Sequence, residues 1–132
     1  MNTPKTSRVI VEPVKTHRDA RGSLFEPLTD IGLASQKNVH VVLTQPNEVR
    51  GNHAHRTAVE TTTIMGPCLI RLKEGGTIRD LDVPAGEVWR LTIPAGVAHA
   101  FRNTGESVMV LVSFSTNLHD PDGSDIVRER IL

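Results

Sequence analysis

The sequence predicts an all-β fold, a sandwich or a barrel, on three observations. Short runs of β-branched and alternating apolar residues recur along the 132 residues. Clusters of Gly, Pro and Asn interrupt them every roughly eight to twelve residues, the spacing of strands in antiparallel β proteins. Only the final segment reads as a helix. In order, the strands are expected at residues 9–14, 23–28, 39–45, 50–55, 60–65, 68–72, 78–83, 87–93, 98–102 and 108–115. The breaks between them carry Arg21-Gly22, Pro46-Asn47, Gly66-Pro67, Gly75-Gly76, Pro84-Ala85-Gly86, Pro94-Ala95-Gly96 and Asn103-Thr104-Gly105. Glycine supplies the positive φ that tight turns need, and proline presets φ and stops the ladder. VPAGEVWRL and IPAGVAHAF share a turn, but the likeness ends there, so this is one hairpin chemistry used twice rather than a duplication. Residues 124–132 are expected to form a short C-terminal helix, with Ser124 placed to cap it.

Length and composition set the bounds. A chain of 132 residues makes one domain, 1–132, with room for a core but not for a second one. Fifteen basic and fifteen acidic side chains cancel, so no field points to nucleic acid or to an anionic membrane. No segment has the length of a signal peptide or a transmembrane span, and the single cysteine, Cys68, excludes an internal disulfide framework. A cytoplasmic protein is the expectation. Cys68 lies in an apolar run after Gly66-Pro67, the setting of a buried, inert thiol.

Chemistry concentrates in two blocks, RGNHAHRTAVE and PAGVAHAFRN, which carry His53, His55, Glu60, His99 and Asn103. Residues two apart on a strand project to one face, so His53 and His55 point together. Glu60 follows across a turn, and His99 stands just after a Pro-x-Gly turn on a later strand. In a closed barrel the inward positions of such strands converge. Three imidazoles and one carboxylate around a point leave positions open, which suits a catalytic divalent metal. A buried cluster joined only by hydrogen bonds is the alternative. His17, His40 and His119, taken singly, read as surface or hydrogen-bonded histidines.

These blocks resemble the two motifs of the cupin superfamily. His53-Ala54-His55, four residues and Glu60 match the first motif, HxH followed by three or four residues and E. Pro94 to Asn103 match the second, PxGxxHxxxN, without a gap. The resemblance implies a double-stranded β-helix of jelly-roll type, with His53, His55, Glu60 and His99 as ligands of a divalent metal (Zn, Ni, Mn or Fe). A narrower likeness runs through most of the chain. DARGSLFEPL resembles the DxRGxFxE block of dTDP-4-dehydrorhamnose 3,5-epimerase-like cupins, whose RGxH block matches Arg50, Gly51 and His53. RGNHAH also resembles the RGxHAH of sugar 3,4-ketoisomerases. RGNHxHxTxxE, HxFxN and the late NLHDPDGSD stretch look like the cupin domain of bifunctional capsular polysaccharide epimerase/reductases.

Such a resemblance implies an isomerase or epimerase that acts on a nucleotide-linked keto sugar through an enolate, in a homodimer. That chemistry needs a base for the α-proton, a cation or donor for the enolate oxygen, and an acid to return the proton. His53 is the matched base, with Glu60 beside it as a catalytic carboxylate. Arg21 and Arg50 would grip the diphosphate, because a guanidinium binds phosphate oxygens in pairs, and His119 of the late block would join them. The chain has no tyrosine, so the tyrosine acid of the rhamnose-pathway epimerases is missing. There is also a conflict of roles. A histidine that binds metal through one nitrogen keeps a hydrogen on the other and cannot also be the free base. Under the metal reading Glu26, His40 and His119 become the base candidates. A metal-dependent cupin dioxygenase and a non-catalytic sugar- or metabolite-binding module remain alternatives.

Overall fold

The computed structural model describes residues 8–132. Two antiparallel five-stranded sheets dominate the described residues. The first runs in the order β1 (Ile10–Pro13), β9 (Val88–Ile93), β6 (Glu60–Met65), β11 (Met109–Ser115) and β4 (Asn38–Thr44). The second runs β12 (Ile126–Arg128), β5 (Val49–His55), β10 (Ala98–Asn103), β7 (Cys68–Glu74) and β8 (Thr77–Val83). A separate hairpin pairs β2 (Thr16–Asp19) with β3 (Gly22–Phe25). From β4 onward every connection except β7 to β8 crosses from one sheet to the other, the winding of a jelly roll.

The core lies between the two sheets, where alternation along each strand puts it. On β7, Cys68, Ile70 and Leu72 point inward and are at most 1% exposed, while Leu69 and Arg71 alternate outward. They meet Ile64, Leu91, Ile93 and Leu111 of the facing sheet in one cluster with Phe101. Burying one such side chain contributes about 1.5–3 kcal/mol. Cys68 is sealed in this layer, and burial pushes its thiol up to about 12 from the ordinary 9.0.

Strand β6 departs from alternation. Glu60 to Ile64 are all buried, because Ile64 faces the core while Thr63 faces the other way under the segment after β3. There the Thr63 hydroxyl donates to the Pro27 carbonyl at 2.8 Å. The two Pro-Ala-Gly turns take the expected form, with Gly86 at φ +79° and Gly96 at φ +85°. Asn103 ends β10 by fastening the next turn. Its amide nitrogen donates to Thr44 O and Ser107 O, and its carbonyl oxygen accepts from Gly105 N.

One element differs in kind from expectation. Residues 124–132 are not a helix: Ile126–Arg128 form β12, paired antiparallel with Ala54 and both its neighbours on β5. The Ser124 hydroxyl caps nothing and instead donates to the Asp120 carboxylate. A segment this short has no helical stability of its own, and an open strand edge offers it ready hydrogen bonds. Two small elements were not anticipated, β2 and a four-residue helix α1 (Asp30–Leu33). The helix is capped by Thr29, whose hydroxyl accepts from Gly32 N at 3.0 Å.

Candidate metal centre

A bulge in β5 aims the first two histidines. Opposite β10 the register runs His99 to His53 and then Ala100 to Gly51, so Asn52 is an extra residue on β5. Asn52 sits at φ +56° and Gly51 at φ +93°. A Cβ on Gly51 would lie 2.6 Å from the His99 carbonyl oxygen, so only glycine lets β5 approach β10 this closely. The Asn52 side chain then holds the final residues, accepting from Ile131 N and Leu132 N and donating to Leu132 O. Beyond the bulge, His53 and His55 share a face, with ring centroids 5.2 Å apart.

His99 comes from β10 and Glu60 from β6, so the cluster draws on both sheets. One ligand atom from each of His53, His55, Glu60 and His99 lies within 4.8 Å of every other. His55 Nε2 meets Glu60 Oε2 at 2.5 Å, and His99 Nε2 lies 3.4 Å from the same oxygen. The other carboxylate oxygen, Oε1, accepts from Ser113 Oγ at 2.5 Å and from Thr62 Oγ1 at 3.2 Å. Glu60 is therefore held by one oxygen and presents the second to the histidines.

The imidazoles are oriented one by one. His99 is fully buried, and its Nδ1 donates to Val97 O at 3.0 Å, which leaves the lone pair on Nε2. Among the described residues that Nε2 has no hydrogen-bond partner. A buried, unpartnered nitrogen aimed at a carboxylate and two other imidazoles is what a bound cation would satisfy. The donor set fits a divalent metal. His55 Nδ1 faces Asp125 Oδ2 at 3.1 Å. His53 makes no side-chain hydrogen bond among the described residues.

Electrostatics follow from this packing. Burial, then the neighbouring His99, push the His53 imidazole down to about 4, which keeps it neutral with a free lone pair near pH 7. The hydrogen bond that His55 gives to Glu60 raises His55 against its burial, with Asp125 adding to the effect. Burial alone would raise Glu60, but the His55 bond, the neighbouring His99 imidazole and the Ser113 hydroxyl outweigh it and hold the carboxyl well below the usual range. Glu60 is thus an ionised carboxylate at the centre of the cluster.

The other expected site residues are scattered. Arg21 is in the β2–β3 turn, its side chain 91% exposed and paired with Asp19 at 2.5 Å. Arg50 stands on β5 opposite Phe101 and donates to Leu43 O of β4 at 3.3 Å, at the seam between the sheets. His119 is exposed in the loop after β11. Glu26 lines a cleft of about 330 Å³ with Lys15, His17 and Arg90, away from the four-residue cluster. His40 shares the cluster's face of its sheet, in contrast to Glu26. It pairs in register with Ser113, whose hydroxyl holds Glu60, so the two side chains leave the same face of the same sheet. Asp125 and Ser113 carry no motif signal, since each acts through a partner distant in sequence, and Thr62, two residues after Glu60, lies outside the motif.

Comparison with known proteins agrees with this geometry. No curated protein matches the chain in sequence. Among solved structures, the capsular polysaccharide assembling protein CapF from Staphylococcus aureus is 26% identical at a TM-score of 0.66 over 91% of this chain. This chain spans only a third of CapF, 33% of its length. QdtA, a sugar 3,4-ketoisomerase from Thermoanaerobacterium thermosaccharolyticum solved with TDP, aligns at a TM-score of 0.72 with 22% identity, covering 92% of this chain and 88% of its own. A dTDP sugar isomerase from Desulfovibrio desulfuricans aligns at 0.76 with 13% identity, covering 92% and 83%. These likenesses show the jelly roll of RmlC-like cupins. Residues 17–127 match the family described as polysaccharide biosynthesis C-terminal domain, and to that family, on a cupin fold, the chain belongs.

Proposed function

We propose that this domain is a metal-dependent isomerase or epimerase of a nucleotide-linked keto sugar, working through an enolate. The observation that carries the metal half of this reading is the orphaned His99 Nε2, buried and directed at Glu60, His53 and His55. The substrate half is supported by what the neighbours bind: QdtA was solved with TDP and with TDP-4-keto-6-deoxyglucose. His53, His55, Glu60 and His99 would hold the ion. When bound, it supplies a Lewis acid that polarises the sugar ketone and so acidifies the neighbouring carbon–hydrogen bond.

The remaining roles fall to the chain. With its lone pair committed to the ion, His53 is a ligand rather than the base. His40, on the cup face across from Ser113, is the group for proton transfer at the acidified carbon. Arg50 has further N–H donors beyond the one given to Leu43 O, and it would take a diphosphate oxygen at the seam. Glu60 stays ionised and supplies the one negative charge of the ligand set. A homodimer is part of the same reading.

The test incubates metal-loaded protein in heavy water with TDP-4-keto-6-deoxyglucose and follows the sugar by NMR and mass spectrometry. Deuterium entering at a carbon beside the ketone, abolished by a chelator and by His40→Ala, is the expected result. Oxygen consumption with Fe(II) and no deuterium would identify an oxygenase instead. Stabilisation by the sugar nucleotide without any exchange would make the domain a binding module.

A further inference from the structure

Deepening the metal reading just proposed, and resting on it, we infer that Asp125 is the positioning residue for His55. No part of the two histidine blocks marks this aspartate; only the fold brings it there. The turn that contains it crosses behind the connection from β5 to β6, the stretch of chain that links His55 to Glu60. Arg56 N donates to Asp125 O at 2.7 Å, and Asp125 N donates to Asp120 Oδ2 at 2.8 Å. The backbone of Asp125 is therefore fixed on both sides.

Its carboxylate is fixed as well. Oδ1 accepts from both Thr57 N at 2.8 Å and Thr57 Oγ1 at 2.7 Å. Oδ2 is left for His55 Nδ1 at 3.1 Å, with a longer contact of 3.4 Å from Ala58 N. The Asp125 side chain is only 14% exposed, so water competes poorly for that oxygen. An ionised carboxylate accepts and never donates, so Nδ1 must carry the hydrogen. Nε2 is then the atom turned into the cluster, 2.5 Å from Glu60 Oε2, and the one that would give up its hydrogen to take the ion while Nδ1 keeps its own on Asp125. Asp125 thus sets both the tautomer and the ring angle of His55. Such outer partners of ligating histidines typically contribute 10–100-fold in metal affinity.

The three histidines are supported unequally. Among the described residues, a backbone carbonyl orients His99, a carboxylate orients His55, and no hydrogen bond orients His53. His55 is therefore the one histidine of the set whose orientation a side-chain substitution can remove without touching the ligand. Asp125→Asn is nearly isosteric. Its amide must turn either its oxygen to Thr57 and its NH2 to His55, which favours the wrong tautomer, or the reverse, which breaks the Thr57 bonds.

The experiment titrates the full chain with Co(II), following the visible ligand-field absorption, and measures urea unfolding of the metal-free protein beside it. Asp125→Asn is expected to bind Co(II) 10–100-fold more weakly, with a metal-free unfolding midpoint close to that of the unsubstituted chain. Ser124→Ala, which removes a hydroxyl bond to Asp120 in the same turn, is expected to bind normally. Equal Co(II) affinity in Asp125→Asn and the parent chain would overturn the assignment. So would an equal loss in Ser124→Ala, which would assign the effect to the turn. A parent chain that takes up no Co(II) at all overturns the metal reading itself, a result distinct from either of these.

Discussion

His99 concentrates the test of the ligand set in one side chain. Its Nδ1 is already satisfied by Val97 O, so the only unmet capacity of the ring is the Nε2 lone pair. Replacing it with alanine is expected to lower bound metal from near one ion per chain by at least about tenfold, since it removes one of only four protein ligands. Elemental mass spectrometry reads the loss, and far-UV circular dichroism is expected to keep its β signature. Full metal occupancy in His99→Ala would remove His99 from the set. These four residues were legible in the sequence because each lies in a short block where spacing and strand geometry fix direction. Asp125 was not, because its partner His55 is reached only through the fold. Glu26 and His40 looked alike as base candidates; only strand register separates them, and sequence does not print register.

At the scale of elements, the strands were readable where an apolar side faces the core. The segment 16–19, THRD, has nothing to bury, and its exposed β2 was missed for that reason. In residues 124–132 the open edge of β5 overrides the local helical propensity. That last strand is held by more than its three-residue ladder. Asn52 makes three hydrogen bonds to residues 131 and 132, Arg71 donates to Ile131 O, and Lys73 pairs with Glu129. Asn52→Gly keeps the left-handed backbone accessible while removing the side-chain bonds. It is expected to destabilise the domain by about 1–3 kcal/mol, at roughly 1 kcal/mol per partly exposed bond. Urea denaturation measures this. An unchanged midpoint would mean that the tail adds nothing to the sheet.

For the whole molecule, the decisive fact is that the ligands divide between sheets, with His53, His55 and His99 on one and Glu60 on the other. A bound ion joins the two layers, and only the folded chain assembles the full set. Free metal at 100 times its dissociation constant is then expected to stabilise the fold by about 2.7 kcal/mol. A domain of 132 residues would show that as a rise in Tm of roughly 10 °C, read by calorimetry with and without chelator. No rise in the parent chain would separate the cluster from metal binding. The balanced charge predicted no such feature, since net charge speaks to solubility and steering rather than to sites.

The lone thiol offers a different kind of information. Cys68 keeps its proton in the folded protein up to about 12, whereas the unfolded chain releases it near 9.0. Stability is therefore complete below pH 9 for this group and falls as pH rises toward 12, because the unfolded state gains by ionising. A thiol reagent at pH 8 should label Cys68 only when the layers part, so its rate in native buffer, divided by the rate in urea, gives the opening equilibrium directly. Added metal should slow the labelling by the same factor that it stabilises the fold. A side chain with no chemical task becomes a clock for how often the barrel breathes.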